Sequence, residues 1–383
     1  MSAGRPIRVC LLGLDALPAL SREHAHLGVA AGEPVQQSLL ARALAARGYD
    51  VTLIVLDQGQ PDELVVDGVR TLKAYRPERG IRLVRYFHPR WSGVVRALDR
   101  ADADVYYTSC AGINVAQIVQ VARRRGAGTI FRVASDSDCQ PGRLLMPWHS
   151  RGVYRWGLQR VDCVLVQTKD QQRDLRGNFG RDSTVAGMLV ETGRGDRPFA
   201  ERDRHGLWVA NIRRLKRPDR MLELARASPA LRFEMAGGTQ PGSEPMFDEI
   251  RSAARGLPNL DFLGPVPYHD IGERFERARV LVNTSEIEGF PNTYLQAWAR
   301  GVPVVTFIDP DGVIAREGLG RVVTSDESLH EAVSQLSVDE ATWAATSARC
   351  RAFAAREFGE DRILAPYAEA IAAGARKARS ASC

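Results

Sequence analysis

An acidic loop between two ordered segments carries the residues with the clearest chemical potential. The apolar run that ends at Asn283 predicts a strand, and a helix is predicted to begin near Asn292 and Thr293. Amides at the start of a helix lack partners within the helix, so with the helix dipole they suit phosphate. Glu288, in the intervening loop, would repel phosphate, and we expect it to accept hydrogen bonds from sugar or ribose hydroxyls. An ordinary strand–loop–helix turn is the alternative.

A second candidate loop is rich in cations and follows the apolar run 207–209. Arg213, Arg214 and Lys216 precede Pro218, where another helix is predicted to begin. Guanidinium groups chelate phosphate oxygens, and an ammonium group adds a point charge. A solvated cluster at the start of the helix is the alternative. Because cations oppose the dipole at a helix N-terminus, this pattern favours an anionic partner, and we expect phosphate.

Two series of alternating strands and helices are predicted to position these loops. The predicted strands are 7–13, 51–55, 69–74, 81–86, 104–107, 129–133 and 163–166 in the first half, and 207–209, 231–236, 260–263, 280–283 and 302–307 in the second. The charged, glycine-containing stretch 191–198 is the predicted linker, and an alanine-rich helical tail is predicted to run to the end of the chain. Repeated strand–helix–strand units predict doubly wound α/β domains, in which ligands bind at the carboxyl ends of the strands.

The composition of the chain limits the classes of protein to which it can belong. With 383 residues, 44% hydrophobic and 26% charged, the chain suits two globular domains. The net charge of +6 suits phosphate-bearing ligands or an anionic membrane face, but there is no concentrated basic stripe or motif for nucleic acid. Six dispersed cysteines without a Cys-x-x-Cys pair predict reduced thiols. No secretory leader or membrane-spanning run is predicted, so we expect a cytoplasmic protein that is soluble or, at most, peripheral at the inner membrane face.

The loop around Glu288 resembles the signature of glycosyltransferase family 4, the group 1 glycosyltransferases. That signature is Glu-Gly-Phe with a second Glu eight positions after the first, then an alanine-rich helix and Gly-x-Pro-Val. The matching residues are Glu288, Gly289, Phe290, Ala297, Gly301 and Pro303. Gln296 stands where the second Glu is usual, and Pro291 replaces a common glycine. The fold is therefore expected to be GT-B, with two Rossmann-like domains facing a central cleft.

The resemblance also implies roles for individual residues. Lys216 falls on the family's diphosphate-binding lysine, and Glu288 on its sugar-side carboxylate. Asn211 stands where the family has an arginine, so Arg213 or Arg214 is expected to supply that cation. We therefore expect Lys216, Arg214 and Glu288 to be catalytic. The expected donor-binding residues are Gly32, Asn211, Arg213, Val266, Gly289, Phe290, Pro291, Asn292, Thr293 and Gln296.

The resemblance implies a complete functional hypothesis. Residues 1–195 would form the acceptor-side domain and residues 204–360 the donor domain, with residues 361–383 as a terminal helix crossing back to the first. The reaction would retain the anomeric configuration and need no metal or other cofactor. The donor would be a nucleotide-sugar, with UDP- or GDP-sugars favoured, and the acceptor a saccharide, a lipid-linked glycan or a small molecule. The alternatives are a non-catalytic nucleotide-sugar binding protein, or an epimerase or phosphorylase on the same fold.

Three further features of the first half have open interpretations. Asp136 and Asp138 form an Asp-x-Asp, but no ligand spacing around them favours a metal; the loop 135–138 is an acceptor-side candidate instead. No histidine follows strand 129–133, where the family often has one, so His24 and His149 are candidates only by default. A surface containing Trp148, Tyr154 and Trp156, with Arg143, Arg151 and Arg155, is either a contact for lipid-linked acceptors or a half-buried helix.

Overall fold

The computed structural model describes residues 5–28, 32–80, 84, 86–191, 193, 197–240 and 242–381. The chain forms two compact units: Met1–Leu189 with Ile363–Cys383, and Val190–Arg362. Val190 and Glu191, which the sequence assigned to the first domain, belong to the second unit. Most of the predicted strand 81–86 lies outside the described residues, and Tyr86 begins an irregular helical turn, Tyr86–Trp91.

The first unit is an eight-stranded sheet with helices on both faces. Its strands are β1 (Arg8–Leu12), β2 (Asp50–Val55), β3 (Val65–Val66), β4 (Val69–Lys73), β5 (Val105–Ser109), β6 (Gly128–Arg132), β7 (Cys163–Val166) and β8 (Thr184–Val185). Its helices begin with α1 (Leu17–Leu20), α2 (Gly32–Ala46), α3 (Ser92–Ala101), α4 (Ile113–Arg125), α5 (Trp148–Leu158) and α6 (Lys169–Phe179). The strand order is β3-β4-β2-β1-β5-β6-β7-β8, and the pairs are parallel except for the β3–β4 hairpin. Buried apolar side chains on each face account for the two core clusters of this unit.

The second unit is a six-stranded parallel sheet. Its strands are β9 (Arg204–Val209), β10 (Phe233–Ala236), β11 (Leu260–Gly264), β12 (Ala278–Asn283), β13 (Val304–Thr306) and β14 (Gly320–Val322). Its helices are α7 (Pro218–Ala227), α8 (Glu244–Ala254), α9 (Tyr268–Arg277), α10 (Asn292–Trp298), α11 (Val313–Glu317), α12 (Asp326–Val338) and α13 (Glu340–Glu357). The order β11-β10-β9-β12-β13-β14 is that of a Rossmann sheet, and it places a topological switch point between β9 and β12.

The helical tail is two helices rather than one. α13 ends at Glu357, and α14 (Glu360–Ala381) follows after Phe358 and Gly359. Buried side chains of α14 join a core of the first unit: Ile363, Leu364, Tyr367, Ala370, Ile371 and Ala375. The helix approaches the sheet closely because Gly374 faces Gly128 of β6, where a Cβ on Gly128 would clash with the backbone of Gly374.

Three smaller predictions can be compared with the structure. The basic run at the end of α4 is a helix C-terminus: Gly126 caps it at φ 68°, and Arg124 and Arg125 pair with Asp99. Cys10, Cys139 and Cys350 are buried free thiols, but Cys110 is exposed. Within the described part of the chain, no helix is long and apolar enough to cross a membrane.

Candidate functional site

The two candidate loops of the second unit lie side by side. The loop after β9 carries Lys216, and the loop after β12 carries Glu288. Because β9 and β12 are neighbouring parallel strands, their carboxyl ends lie at the same edge of the sheet. This edge is the switch point, the position at which open α/β sheets bind ligands.

Hydrogen bonds fasten the two loops together. Thr284 Oγ1 donates to the carbonyl of Lys216 at 2.7 Å and accepts from the indole N–H of Trp208 at 2.9 Å. The amide of Glu286 donates to the carbonyl of Leu215 at 2.9 Å. Trp208 and Thr284 are buried, so these bonds form away from competing water. The backbone that carries Lys216 is therefore held by the β12 loop.

The side chains of Lys216 and Glu288 form an ion pair. Ser285 Oγ donates a second hydrogen bond to the same carboxylate oxygen, Glu288 Oε1, at 2.8 Å. Both side chains of the pair are mostly buried, with 14% and 16% of their areas exposed. Partial burial strengthens the attraction by excluding water, so the cation and the anion are held in contact.

The remaining cations of the loop differ in their surroundings. Arg217 has φ 47° and immediately precedes α7; its guanidinium bonds Asp219 and Glu286, the latter at 3.1 Å, so its charge is already balanced. Arg214 is exposed. Arg213 is half-buried, and its Nε atom lies inside the protein without a hydrogen-bond partner. Arg213 and Arg214 are thus the cations of this loop that could turn to an added anion.

Two glycines fix the turn at Asn211. A Cβ on Gly237 would overlap the carbonyl oxygen of Ala210, so only glycine allows β10 to end this close to the β9 loop. The next carbonyl, of Gly238, accepts from the amide of Ile212 at 2.9 Å. Asn211 is half-buried between these two anchored residues. Gly237 thus has a steric role, and Gly238 contributes through its backbone carbonyl.

The Glu-Gly-Phe loop is packed against α10 by an aromatic cluster. The ring of Phe290 makes edge contacts with Tyr294 and Trp298, with centroids 6.5 and 6.1 Å apart. Pro291 is buried at the N-cap position, and α10 begins at Asn292. Phe290 and Pro291 therefore shape the loop that presents Glu288.

The other predicted donor-binding residues occupy several positions. Gly289 is buried in the loop, and Thr293 and Gln296 are half-buried on α10, where the Gln296 carbonyl accepts from Arg300 at 3.2 Å. Val266 lies after β11 and packs against a core cluster of the same unit. Gly32 is the exposed first residue of α2, in the first unit. The predicted residues of the second unit thus lie around one edge of its sheet, and Gly32 lies in the first unit.

The acidic loop of the first unit is a capped turn. Asp138 accepts backbone hydrogen bonds from Ala134 at 3.0 Å and Ser135 at 3.2 Å, and Ser135 completes a capping box. Burial raises the pKa of Asp138 to about 6 despite these bonds. Asp136 accepts from Gln171 at 2.9 Å. Both carboxylates therefore have structural partners, and no group of three metal-ligating side chains occurs among the residues the structure covers.

The structure also shows the surroundings of the two candidate histidines and of the aromatic residues of α5. His24 bonds Ser21 at 2.8 Å, and His149 is exposed and stacks against Tyr86. The sequence left the helix that carries Trp148, Tyr154 and Trp156 as either a lipid contact or a half-buried helix, and the structure buries Tyr154 fully. Its ring packs against Phe131, and its hydroxyl donates to the Asp138 carbonyl at 3.0 Å. An amphipathic pattern alone did not distinguish this inward ring from the outward tryptophans.

Sequence families match both units. Residues 32–186 match the glycosyl transferase 4-like domain, and residues 203–339 match the family described as glycosyl transferases group 1. The D-inositol 3-phosphate glycosyltransferase of Mycobacterium tuberculosis (strain ATCC 25618 / H37Rv) is 28% identical over 192 residues, covering 44% of this chain and 39% of the relative. The chain therefore spans about two fifths of the length of the curated relatives that it matches.

Solved structures match nearly the whole chain. Sucrose-phosphate synthase from Thermosynechococcus elongatus has a TM-score of 0.75 at 18% identity, covering 94% of this chain and 97% of that one. Anabaena Alr3699/HepE in complex with UDP-glucose has a TM-score of 0.72 at 13% identity, covering 95% and 99%. At these identities the similarity shows the fold.

Proposed function

Because the chain belongs to the group 1 glycosyltransferases of family 4 and has their GT-B fold, we propose that it transfers a sugar from a nucleotide-sugar donor, with retention of configuration and without a metal. We propose UDP- or GDP-sugars as donors. The acceptor would be a saccharide, a lipid-linked glycan or a small molecule. The glycosyltransferase class follows from the family, and the remaining features are the proposal.

The observation that carries the proposal is the Lys216–Glu288 ion pair at the switch point of the second unit. A diphosphate offers Lys216 more negative charge than one carboxylate does, so it can displace Glu288 from the ammonium. The released carboxylate can then accept hydrogen bonds from sugar hydroxyls. One ligand that carries both groups, a nucleotide-sugar, satisfies both members of the pair.

The same residues supply the charge stabilisation that the reaction needs. When the bond between the sugar and the diphosphate breaks, negative charge develops on the leaving phosphate oxygen. Lys216, with Arg213 or Arg214, would stabilise that charge, which is the contribution that a metal makes in other enzymes. The leaving phosphate would take the acceptor's proton on the same face of the sugar, so the mechanism requires no separate base.

Other residues would shape the donor site. Ser285 would keep the Glu288 carboxylate oriented after Lys216 is withdrawn, because its hydroxyl reaches the same oxygen. We propose that Asn211, Gly289 and Gln296 line the donor site of the second unit. Val266 would contact the base of the nucleotide, whereas the role of Gly32, in the first unit, stays a prediction from the sequence. Asn292 and Thr293 begin a helix of only seven residues, so the proposal rests on side-chain charge rather than on its dipole.

One structural neighbour supports this donor chemistry, because the Anabaena structure contains UDP-glucose. The mycobacterial relative is named for a phosphorylated cyclitol, which bears on its acceptor. Because the matched region covers only part of the mycobacterial enzyme, its acceptor does not transfer to this chain. The substitutions at Asn211 and Gln296 make a protein that binds the donor without turnover the second candidate.

Nucleotide binding and turnover test the proposal. Thermal shift and hydrolysis would be measured with UDP-, GDP- and ADP-sugars, with and without EDTA. Lys216→Ala is expected to weaken nucleotide affinity at least about tenfold, because a charge-assisted contact contributes about 1.5–3 kcal/mol. Lys73→Ala is the matched control, since Lys73 is also ion-paired, to Asp57, but lies in the first unit.

The outcomes separate the candidate functions. Stabilisation by one nucleotide that resists EDTA and is lost only in Lys216→Ala supports the proposed site. Binding without hydrolysis, and without transfer to cell-derived acceptors, indicates the non-catalytic candidate. A stimulatory effect of Mg²⁺ on turnover would contradict the proposed metal independence.

A further inference from the structure

A group of apolar side chains projects from the first unit near the start of α5. Phe87, Leu145 and Trp148 are 68%, 68% and 83% exposed. Large apolar side chains are rarely left this exposed without a partner, and here three occur in two neighbouring segments. We call these three residues, with Arg143 and Arg155, the α5 patch.

Ring contacts bring the two segments together. Tyr86 stacks edge-on against Phe87 and against His149, with centroids 5.3 and 5.8 Å apart. His149 in turn contacts Trp148 at 5.9 Å. The irregular turn Tyr86–Trp91 and the start of α5 thus form one continuous surface.

The inner face of α5 explains why Trp148 points outward. Tyr154, Gly157 and Leu158 are buried, and Gly157 lies against the backbone of α4, where an added Cβ would be 2.7 Å from the amide nitrogen of Ala116. This contact fixes the rotation of the helix, because no side chain could fit between the two backbones. Trp148 is consequently held in solvent by the packing of the rest of its helix.

The two segments that carry the patch have charges of a single sign. No Asp or Glu occurs in residues 86–98 or in residues 139–161, whereas these two segments contain six arginines. Of these, Arg143 and Arg155 are exposed. Arg160 lies over the partly exposed ring of Trp156 at 4.9 Å.

We propose that the α5 patch docks the chain on an anionic membrane surface. Protruding aromatic and aliphatic side chains can enter the boundary between headgroups and acyl chains, while arginines pair with anionic headgroups. This combination of groups needs no shaped pocket in the partner. The inference concerns the first unit and is independent of the donor chemistry.

The charge pattern argues against a second copy of the chain as the occupant. A two-fold interface would place this surface against itself and bring the same arginines into contact. Single-stranded nucleic acid could stack on Trp148 and Phe87, but Leu145 has no stacking face. A lipid surface accounts for all three apolar side chains and for the arginines.

The inference has a consequence for the acceptor that does rest on the proposed transferase function. A transferase held on a lipid surface meets lipid-linked acceptors in two dimensions, at a high local concentration. The acceptor would then belong to the lipid-linked class.

Vesicle flotation tests the docking. The full chain would be mixed, without nucleotide, with phosphatidylcholine vesicles containing about 30% phosphatidylglycerol, or with phosphatidylcholine alone. We expect flotation with the anionic vesicles. Replacing Trp148 and Leu145 together by Ala should lower partitioning roughly tenfold, and Arg143→Glu with Arg155→Glu should lower it at least about tenfold.

Two variants outside the α5 patch control for the general effect of removing an exposed apolar side chain or reversing an exposed charge. Val65→Ala removes a side chain that is 62% exposed on β3 of the same unit, and Arg173→Glu reverses an exposed charge on α6. Both should float like the unchanged chain. Nucleotide thermal shift should be the same in all variants, because Lys216 belongs to the second unit, so failure of docking and failure of the donor site are distinguishable.

Several outcomes would overturn the proposal. The first is the absence of flotation with anionic vesicles. The second is flotation that is unchanged by the loss of Trp148 and Leu145 and therefore depends on charge alone. A dimer that dissociates in the Trp148 and Leu145 variant would assign the surface to a second copy. Binding of a single-stranded oligonucleotide that is lost in both patch variants, in the absence of flotation, would assign it to nucleic acid.

Discussion

Thr284 uses its single hydroxyl twice, accepting from Trp208 and donating to the Lys216 carbonyl. A hydroxyl can do both, whereas a side chain without a polar atom would leave the indole N–H and the carbonyl unmatched in a buried setting. The position of Lys216 therefore depends on a residue that does not reach the proposed ligand.

Thr284→Val keeps the shape of the side chain and removes both hydrogen bonds. We expect a loss of about 1–3 kcal/mol in unfolding free energy and weaker nucleotide binding, because the Lys216 backbone is no longer held. Thr346→Val is the control: Thr346 is also buried in the second unit, and its hydroxyl donates to the Thr342 carbonyl at 2.9 Å. If the two variants lose stability alike but bind nucleotide equally well, Thr284 has no positioning role.

Asp138 makes the stability of the first unit depend on pH. Its pKa is about 6 in the folded chain because of burial, against about 4 when unfolded. Between these values the folded chain keeps a proton that the unfolded chain has released, so raising the pH through this window lowers stability. Below pH 4 both states are protonated and the penalty vanishes.

Asp138→Asn should remove this pH dependence while its side-chain oxygen still accepts from Ala134 and Ser135. The unfolding free energy of the unchanged chain minus that of the variant should fall by about 2–3 kcal/mol from pH 4 to pH 7. Urea unfolding across that range measures it, with Asp170→Asn, on α6, as the control. A difference that rises with pH would mean that the amides stabilise the carboxylate more than burial penalises it.

At the residue scale, the sequence predicted the long charged side chains better than the short polar ones. Lys216 and Glu288 stand at family positions, and the structure brings them into contact. Thr284 and Ser285 were missed because short hydroxyl residues after a strand are typical of any turn. Their roles depend on which atoms of a neighbouring loop they reach, and spacing along the chain does not contain that distance.

At the scale of elements, α5 contains two glycines with opposite roles. Gly157 lies against the backbone of α4, whereas Gly152 faces open space. Gly157→Ala is therefore expected to destabilise the chain by about 1–3 kcal/mol through overpacking, and Gly152→Ala to stabilise it by about 0.5–1 kcal/mol through helix propensity. Thermal unfolding of the pair measures this contrast; a shift of the same sign in both would show that α5 does not depend on its contact with α4.

Some missed elements had a recognisable sequence pattern. β3 and β4 form a hairpin whose two-residue loop is Asp67-Gly68, with φ of 49° and 77°. Asp-Gly between apolar residues is typical of such a turn, so this hairpin could have been predicted. α14 begins at Glu360, next to residue 361, where the resemblance placed the start of the terminal helix, although alanine-rich segments on both sides of Gly359 have the same helical pattern. α13 belongs to the second unit, and α14 from Ile363 onward belongs to the first.

At the scale of the whole molecule, the alternation of strands and helices predicted two parallel α/β units, and the structure confirms it. The strand orders could not be read from the sequence, because runs buried on both faces look alike wherever they lie in a sheet. The sequence placed the end of the first unit at 195, whereas the contacts divide the chain after Leu189. Arg300 contributes to this difference, because its guanidinium donates to the carbonyl of Glu191 at 3.2 Å and so holds the start of this segment on the second unit.

The terminal helix is expected to be essential to the first unit. Ending the chain after Arg362 would remove Leu364, Tyr367 and Ile371 from a core, and each buried side chain contributes about 1.5–3 kcal/mol. Hydrogen exchange should then increase across β1, β5 and β6, while the strands of the second unit stay protected. Ending the chain after Arg376 keeps the buried part of α14 and serves as the control. Equal protection of β1 in both truncated chains would contradict this role.

The hydrogen bond between Trp208 and Thr284 has an optical consequence. Tryptophan absorbs and emits near-ultraviolet light, and its emission responds to the polarity and hydrogen bonding around the indole. Trp208 is buried, and its N–H is joined through one hydroxyl to the backbone of Lys216. A change in the loop that carries this lysine is therefore transmitted to a chromophore already present in the chain. Occupancy of the candidate site should therefore be measurable as a change in tryptophan emission, without an attached label.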